Sequence, residues 1–151
     1  MATATQAAPN AVKPSLTIKR RFNATPAKVF AAWTKPEELM KWMRPTTITA
    51  CKAENDLRVG GSYHIRMQGA AGEEHNASGE YREIVPNQKL VFTWAWRSTP
   101  ERVSLVTVQL KPDGDGTLMT FLHEQFFDEE ARDRHNYGWT GAFDELEKYF
   151  S

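Results

Sequence analysis

Alternation marks the first patterned stretch of the chain. In Ser15–Asn23 (SLTIKRRFN), Leu16, Ile18, Arg20 and Phe22 fall on one side, the spacing of a strand. At Thr25 the period changes. Thr25 can cap a helix that has Pro26 in its first position, and Val29, Phe30 and Trp33 then recur at helical spacing. Pro36 closes that helix and opens a short second one, whose apolar side is Leu39, Met40, Trp42 and Met43. Two short helices meeting at a proline form a V.

Strand-like patterning then runs through Thr46–Glu54, Gly61–Gln68, Ser78–Val85, Lys89–Trp96, Val103–Lys111 and Gly116–Phe126. The segments between them (VGG, GAAGEE, VPNQ, RSTPE, KPDGDG) are turn chemistry. Such short connections imply an antiparallel meander, because a parallel pair needs a crossover of a dozen or more residues. The last pattern is helical. Asp128 can cap it, and Glu129 and Glu130 put negative charge where the helix dipole favours it. Ala131, His135, Gly138, Trp139, Ala142, Phe143, Leu146, Tyr149 and Phe150 make its apolar stripe. At about 21 residues it is roughly 30 Å long, enough to cross a sheet. The expected fold is therefore α+β, with a curved seven-stranded antiparallel sheet around a long C-terminal helix and two short helices after the first strand. A sheet wrapped on one helix leaves room beside that helix for an apolar pocket.

Composition narrows the functional classes. The 151 residues carry 19 Lys plus Arg and 19 Asp plus Glu, for zero formal net charge. Nothing here draws the chain broadly to nucleic acid or to anionic membrane, and KRR at Lys19–Arg21 reads as the exposed side of a strand. No run approaches the ~18–20 apolar residues of a membrane span. The start, MATATQAAPNAVKPS, has neither the basic nor the apolar region of a secretory signal. Its Ala, Thr and Pro content predicts a disordered tail over residues 1–14, with one domain over 15–151. The single cysteine, Cys51, excludes an internal disulfide and multi-cysteine metal sites, fits a reducing cytoplasmic setting, and reads as a small buried apolar residue.

The segments ATPAKVFAAWTKPEELMKWMRP, DLRVGGSYHIRM, SGEYREIVPNQKLVFTW, VTVQLKPDGDGTLMTFLHEQF and GWTGAFDELEKYF carry a family resemblance. In this order, over about residues 15–150, the chain resembles the SRPBCC superfamily of START-like, helix-grip (birch-allergen-like) domains. Within it, the chain is similar to the group of the activator of heat-shock-protein-90 ATPase. Two departures stand out: Val59 where the family commonly has proline, and Trp42–Met43 where two aromatics are frequent. The resemblance implies the fold already read, with an internal cavity for an apolar small molecule. Polyketide cyclases, lipid carriers, plant hormone-binding proteins and a stress-response co-chaperone domain share it, so it names no ligand or reaction.

Candidate site residues follow from strand and helix faces. KLVFTWAWR places Leu90, Phe92, Trp94 and Trp96 together; Trp94 and Trp96 read as pocket lining or as core. Tyr63, Ile65 and Met67 share a face, and Tyr63 and Met67 with Tyr81 offer an adaptable wall carrying hydroxyls. His64 and His75 read as solvent-facing. In TLMTFLHEQF, Met119, Phe121 and His123 point one way, while Leu118, Thr120, Leu122 and Glu124 point the other. His135 lies one turn before Trp139 and two before Phe143 on the helix stripe, so His123 and His135 face one space. They read as a hydrogen-bonded structural pair, as a polar contact to a ligand, or as a metal or acid–base site. No third metal ligand stands at suitable spacing, and no H-E-x-x-H, G-x-S-x-G, Walker or G-x-G-x-x-G motif occurs.

The expected function is binding of an apolar or amphipathic small molecule, lipid-, polyketide- or aromatic-like, without a cofactor or metal. Tyr63, Met67, Tyr81, Trp94, Trp96, Phe121, His123, His135, Trp139 and Phe143 are the lining. The alternatives are a cyclase, dehydratase or hydrolase using His123, His135 or a tyrosine in the same cavity, and a co-chaperone-like interaction domain. The expected assembly is a monomer or a homodimer, with Leu118 and Leu122 as candidate contacts.

Overall fold

The computed structural model describes residues 13–44 and 47–151. The element order is β1 (Leu16–Phe22), α1 (Pro26–Thr34), α2 (Pro36–Trp42), β2 (Ile48–Asn55), β3 (Ser62–Gly69), β4 (Glu74–Val85), β5 (Lys89–Trp96), β6 (Ser104–Asp113), β7 (Gly116–Glu124) and α3 (Glu129–Tyr149). The strands form one sheet in the order β1-β7-β6-β5-β4-β3-β2, every neighbouring pair antiparallel. After β1 the helix pair carries the chain to the opposite edge, from which five short connections bring it back beside β1. This is the helix-grip α+β fold expected from the sequence.

Local chemistry fixes the ends of these elements. Thr25 Oγ1 accepts the Lys28 N–H at 3.3 Å, and Asp128 Oδ1 accepts the Ala131 N–H at 2.8 Å, so both predicted N-caps form. Trp42 Nε1 donates to the Ala32 carbonyl at 2.8 Å and ties the two short helices together. Asn55, at the end of β2, donates to the Thr34 carbonyl at 2.7 Å and so satisfies the C-terminal end of α1. The sheet bends at bulges between Tyr81 and Glu83 of β4 and between Ile48 and Ala50 of β2. Gly79 allows a close approach of β4 to β5, since a Cβ there would overlap the Thr93 carbonyl.

The core fills the space between the concave face and α3. Met119 and Phe121 of β7, Val106 of β6, and Phe143 and Leu146 of α3 have no exposed surface. Trp33 of α1 sits at the centre of an aromatic cluster formed by Trp42, Phe92, Phe121, Trp139 and Phe143. At the edge, Arg20 of β1 donates to Asp144 of α3 at 2.7 Å, closing the sheet onto the helix.

Strand ends shift from their sequence reading, at β4 and β7 for a visible reason. β4 starts at Glu74, not Ser78, because Glu74, His75 and Asn76 continue the ladder opposite Gln68, Met67 and Arg66 despite their polarity. β7 ends at Glu124, not Phe126. Gln125 adopts φ 69°, and this left-handed residue turns the chain so that Phe126 is buried in its place. Leu118 and Leu122 are half-buried, since β1 and β6 flank them with Arg21 and Lys111, and with Thr17 and Thr107. Residues 1–12 of the expected tail, and Thr46 of the second strand, lie outside the described residues; the Pro14 carbonyl accepts from the Phe126 N–H at 3.2 Å.

Candidate functional site

Strand alternation delivers His123 to the interior from β7, and the helical stripe delivers His135 from α3. Their ring centroids are 5.2 Å apart, yet neither bonds to the other, because all four ring nitrogens are engaged elsewhere. Trp139 Nε1 donates to His123 Nδ1 at 3.0 Å. His123 Nε2 lies 2.7 Å from Ser104 Oγ, whose own hydrogen is donated to the Trp94 carbonyl at 3.0 Å. The polarity is then determined. An indole N–H only donates, so Nδ1 accepts and Nε2 carries the hydrogen that Ser104 receives. A second chain runs in parallel. Trp96 Nε1 donates to His135 Nε2 at 2.9 Å, and His135 Nδ1–H donates to the Ala131 carbonyl at 2.7 Å. His123 is the opposite tautomer to His135, and both are neutral.

Electrostatics agree with the geometry. Burial holds His123 well below the usual histidine range, and His135 pushes the same way. His135 is also lowered, by burial first; its bond to Ala131 acts against this and Arg134 with it. Glu124 points away from this pair, on the outer face of β7. Among the described residues no group of three or more His, Cys, Asp or Glu could hold a metal ion. Cys51 is buried on β2 with its thiol raised to about 11 by burial, so it is neither ionised nor reactive at neutral pH.

A cleft of about 660 Å³ opens beside the histidines, between the sheet and α3. Trp94, Trp96 and Trp139 form its aromatic wall, with Met43 and Met67 at one side and Phe126 at another. On the helix, Ala131, Gly138 and Ala142 keep the wall low; a Cβ added at Gly138 would meet nothing within 4 Å. The mouth lies between the start of β4, the β5–β6 loop and the exposed side of α3, where Arg97, Arg102 and Arg134 border it.

The ten residues singled out from sequence divide into three groups. Met67, Trp94, Trp96, His135 and Trp139 line the cleft. His123, Phe121 and Phe143 are fully buried behind that wall. Tyr63 and Tyr81 border a separate cavity of about 20 Å³, next to Trp33 and Trp94. Their hydroxyls are engaged within the protein, Tyr63 donating to the Thr93 carbonyl and Tyr81 accepting from Asn55 at 3.0 Å. His64 is half-buried against Asn76 at 2.8 Å, and His75 sits at the cleft mouth. Sequence reasoning missed Ser104, Met43, Phe126 and the three arginines. Ser104 had a signal: it is the polar member of the inward series Ser104, Val106, Val108, Leu110 on β6. The arginines had none, because they come from a loop and a helix face that only folding brings to one mouth.

Comparison with known proteins places this geometry in a family. The chain superposes on a crystal structure of a Chromobacterium violaceum protein with a TM-score of 0.83 and 26% identity, covering 90% of this chain and 96% of that one. A Silicibacter pomeroyi protein gives a TM-score of 0.76 at 25% identity, over 90% of this chain and 96% of that one. CalU16 from Micromonospora echinospora gives 0.69 at 28% identity, over 91% and 76%. In sequence, the human activator of 90 kDa heat shock protein ATPase homolog 1 is 30% identical over 101 residues. That match takes in 64% of this chain, which spans only 26% of the human protein's length. The family described as activator of Hsp90 ATPase homolog 1-like protein matches residues 23–151. The chain belongs to this family, within the helix-grip SRPBCC superfamily.

Proposed function

We propose that this domain binds an apolar or amphipathic small molecule, lipid-, polyketide- or aromatic-like, in the cleft between the sheet and α3. The observation that carries the reading is the cleft itself. Its volume of about 660 Å³ falls within the ~300–1,000 Å³ typical of small-molecule sites. Three tryptophans and two methionines wall its apolar part. The test is native mass spectrometry of the protein purified from its own cells, which should reveal a co-purifying molecule released on denaturation. Trp94, Trp96 and Trp139 make intrinsic fluorescence a second reporter. A lipid and polyketide panel that leaves both signals unmoved would rule the reading out.

Acid–base catalysis in the same cleft has less support. Ser104 and His123 resemble a nucleophile and base in distance only. His123 presents an N–H to Ser104, so it is not poised to take the hydroxyl proton, and Trp139 stands where an orienting carboxylate would accept from Nδ1. His135 reaches the cleft with both nitrogens engaged. A second reading rests on the human relative, an activator of a 90 kDa heat shock protein ATPase. On that reading the domain stimulates an ATPase of this class, and a steady-state ATPase assay with the purified partner tests it directly.

A further inference from the structure

The chain as a whole is electrically balanced, with 19 basic and 19 acidic residues, yet the mouth of the cleft is not. Arg97, Arg102 and Arg134 border it against one lining carboxylate, Glu74. Glu74 is turned to other partners: Arg66 lies 3.9 Å away, and Asn76 donates to it at 3.3 Å. Arg134 is paired with Glu130 at 3.3 Å, an exposed contact that solvent weakens. Among the described residues Arg102 has only Glu101, at 4.0 Å, and its guanidinium is steadied over the Phe127 ring at 3.8 Å. Arg97 has no carboxylate within 4.0 Å among the described residues. Guanidinium groups beside a low-dielectric aromatic wall focus positive potential at the entrance, and their planar donors match carboxylate, sulfate or phosphate oxygens.

We infer that the ligand is an amphipathic organic anion, with its apolar body against Trp94, Trp96 and Trp139 and its anionic group among Arg97, Arg102 and Arg134. The inference rests on the binding reading above and adds the charge of the ligand. His135, on the cleft wall, is neutral and contributes no charge.

Two fluorescent probes share one apolar body and differ by a sulfonate: 1-anilinonaphthalene-8-sulfonate and N-phenyl-1-naphthylamine. The sulfonate should bind about tenfold tighter at low salt, the size of one charge-assisted contact, and added salt should erode the difference. Combining Arg97→Gln, Arg102→Gln and Arg134→Gln, all at exposed positions, should bring the two affinities together and leave the neutral probe's unchanged. Equal affinities in the unaltered protein, or a preference that survives the triple substitution, overturns the inference and leaves the binding reading intact. Binding of neither probe removes both. Binding of phosphatidylglycerol vesicles, without a preference between the probes, would assign the arginines to a lipid surface and also overturn it.

Discussion

Trp139 donates its indole N–H to Nδ1 of His123 across 3.0 Å in the buried core, and this one bond sets the polarity of everything beyond it. The hydrogen on His123 must lie on Nε2, Ser104 must receive it, and the Trp94 carbonyl must end the chain. His135 is set the other way by Trp96 and Ala131. Long-range ¹H–¹⁵N correlation spectra at neutral pH should therefore show His123 as the Nε2–H tautomer and His135 as the Nδ1–H tautomer. The same tautomer at both sites would break this account.

Both histidines resist protonation in the folded state, and the sign of the linkage follows. Above the unfolded value of about 6.5 neither state binds the proton, so stability is flat. As pH falls below it, the unfolded chain takes up protons that the folded chain refuses. Stability then declines by up to about 1.4 kcal/mol per pH unit for each histidine, until the folded pKa values are reached. Urea midpoints between pH 7.5 and 5 should fall accordingly, and His123→Asn should flatten the slope while lowering stability throughout.

Ser104→Ala removes one hydroxyl but leaves two buried groups, His123 Nε2–H and the Trp94 carbonyl, without that partner. A cost of about 1–3 kcal/mol is expected. Ligand affinity should change little, because the hydroxyl is engaged within the protein. A large loss of affinity at unchanged stability would instead make Ser104 a ligand contact.

Gly138 lowers the helix wall of the cleft. Gly138→Ala should stabilise α3 by up to about 1 kcal/mol, the helix-propensity difference, because a Cβ there meets open space. Gly138→Leu should retain the fold and reduce affinity for bulky ligands by projecting into the cleft. Binding that ignores the leucine would place the ligand elsewhere.

Trp33 and Trp42 are both buried, but the Trp42 N–H bonds to Ala32 whereas the Trp33 N–H has no partner among the described residues. Replacing either by Phe removes similar volume from the same cluster. Trp42→Phe should cost about 1 kcal/mol more than Trp33→Phe, the net worth of one hydrogen bond, as read from paired thermal or urea unfolding.

The order of elements was legible because each follows from local rules. Thr25 and Asp128 cap their helices, Pro36 separates two of them, and period two marks the strands, while turn length makes the sheet antiparallel. Alternation also separated His123 from Glu124. It could not foresee Gln125, whose positive φ ends β7 and turns Phe126 inward. Nor could it tell which inward aromatics remain accessible. Phe121 and Phe143 share strand or helix faces with residues of the same type, and only their position beneath Trp33 and Trp139 makes them core.

Periodicity and capping are properties of neighbouring residues, so the sequence by itself determined the helix-grip architecture and the inward direction of His123 and His135. Tertiary structure alone decided the rest: the tautomers, the partners Ser104 and Trp96, and the gathering of Arg97, Arg102 and Arg134 at one mouth. Those depend on distances between residues from different strands, loops and a helix. Such distances are set by how the sheet bends over α3, which no local pattern encodes.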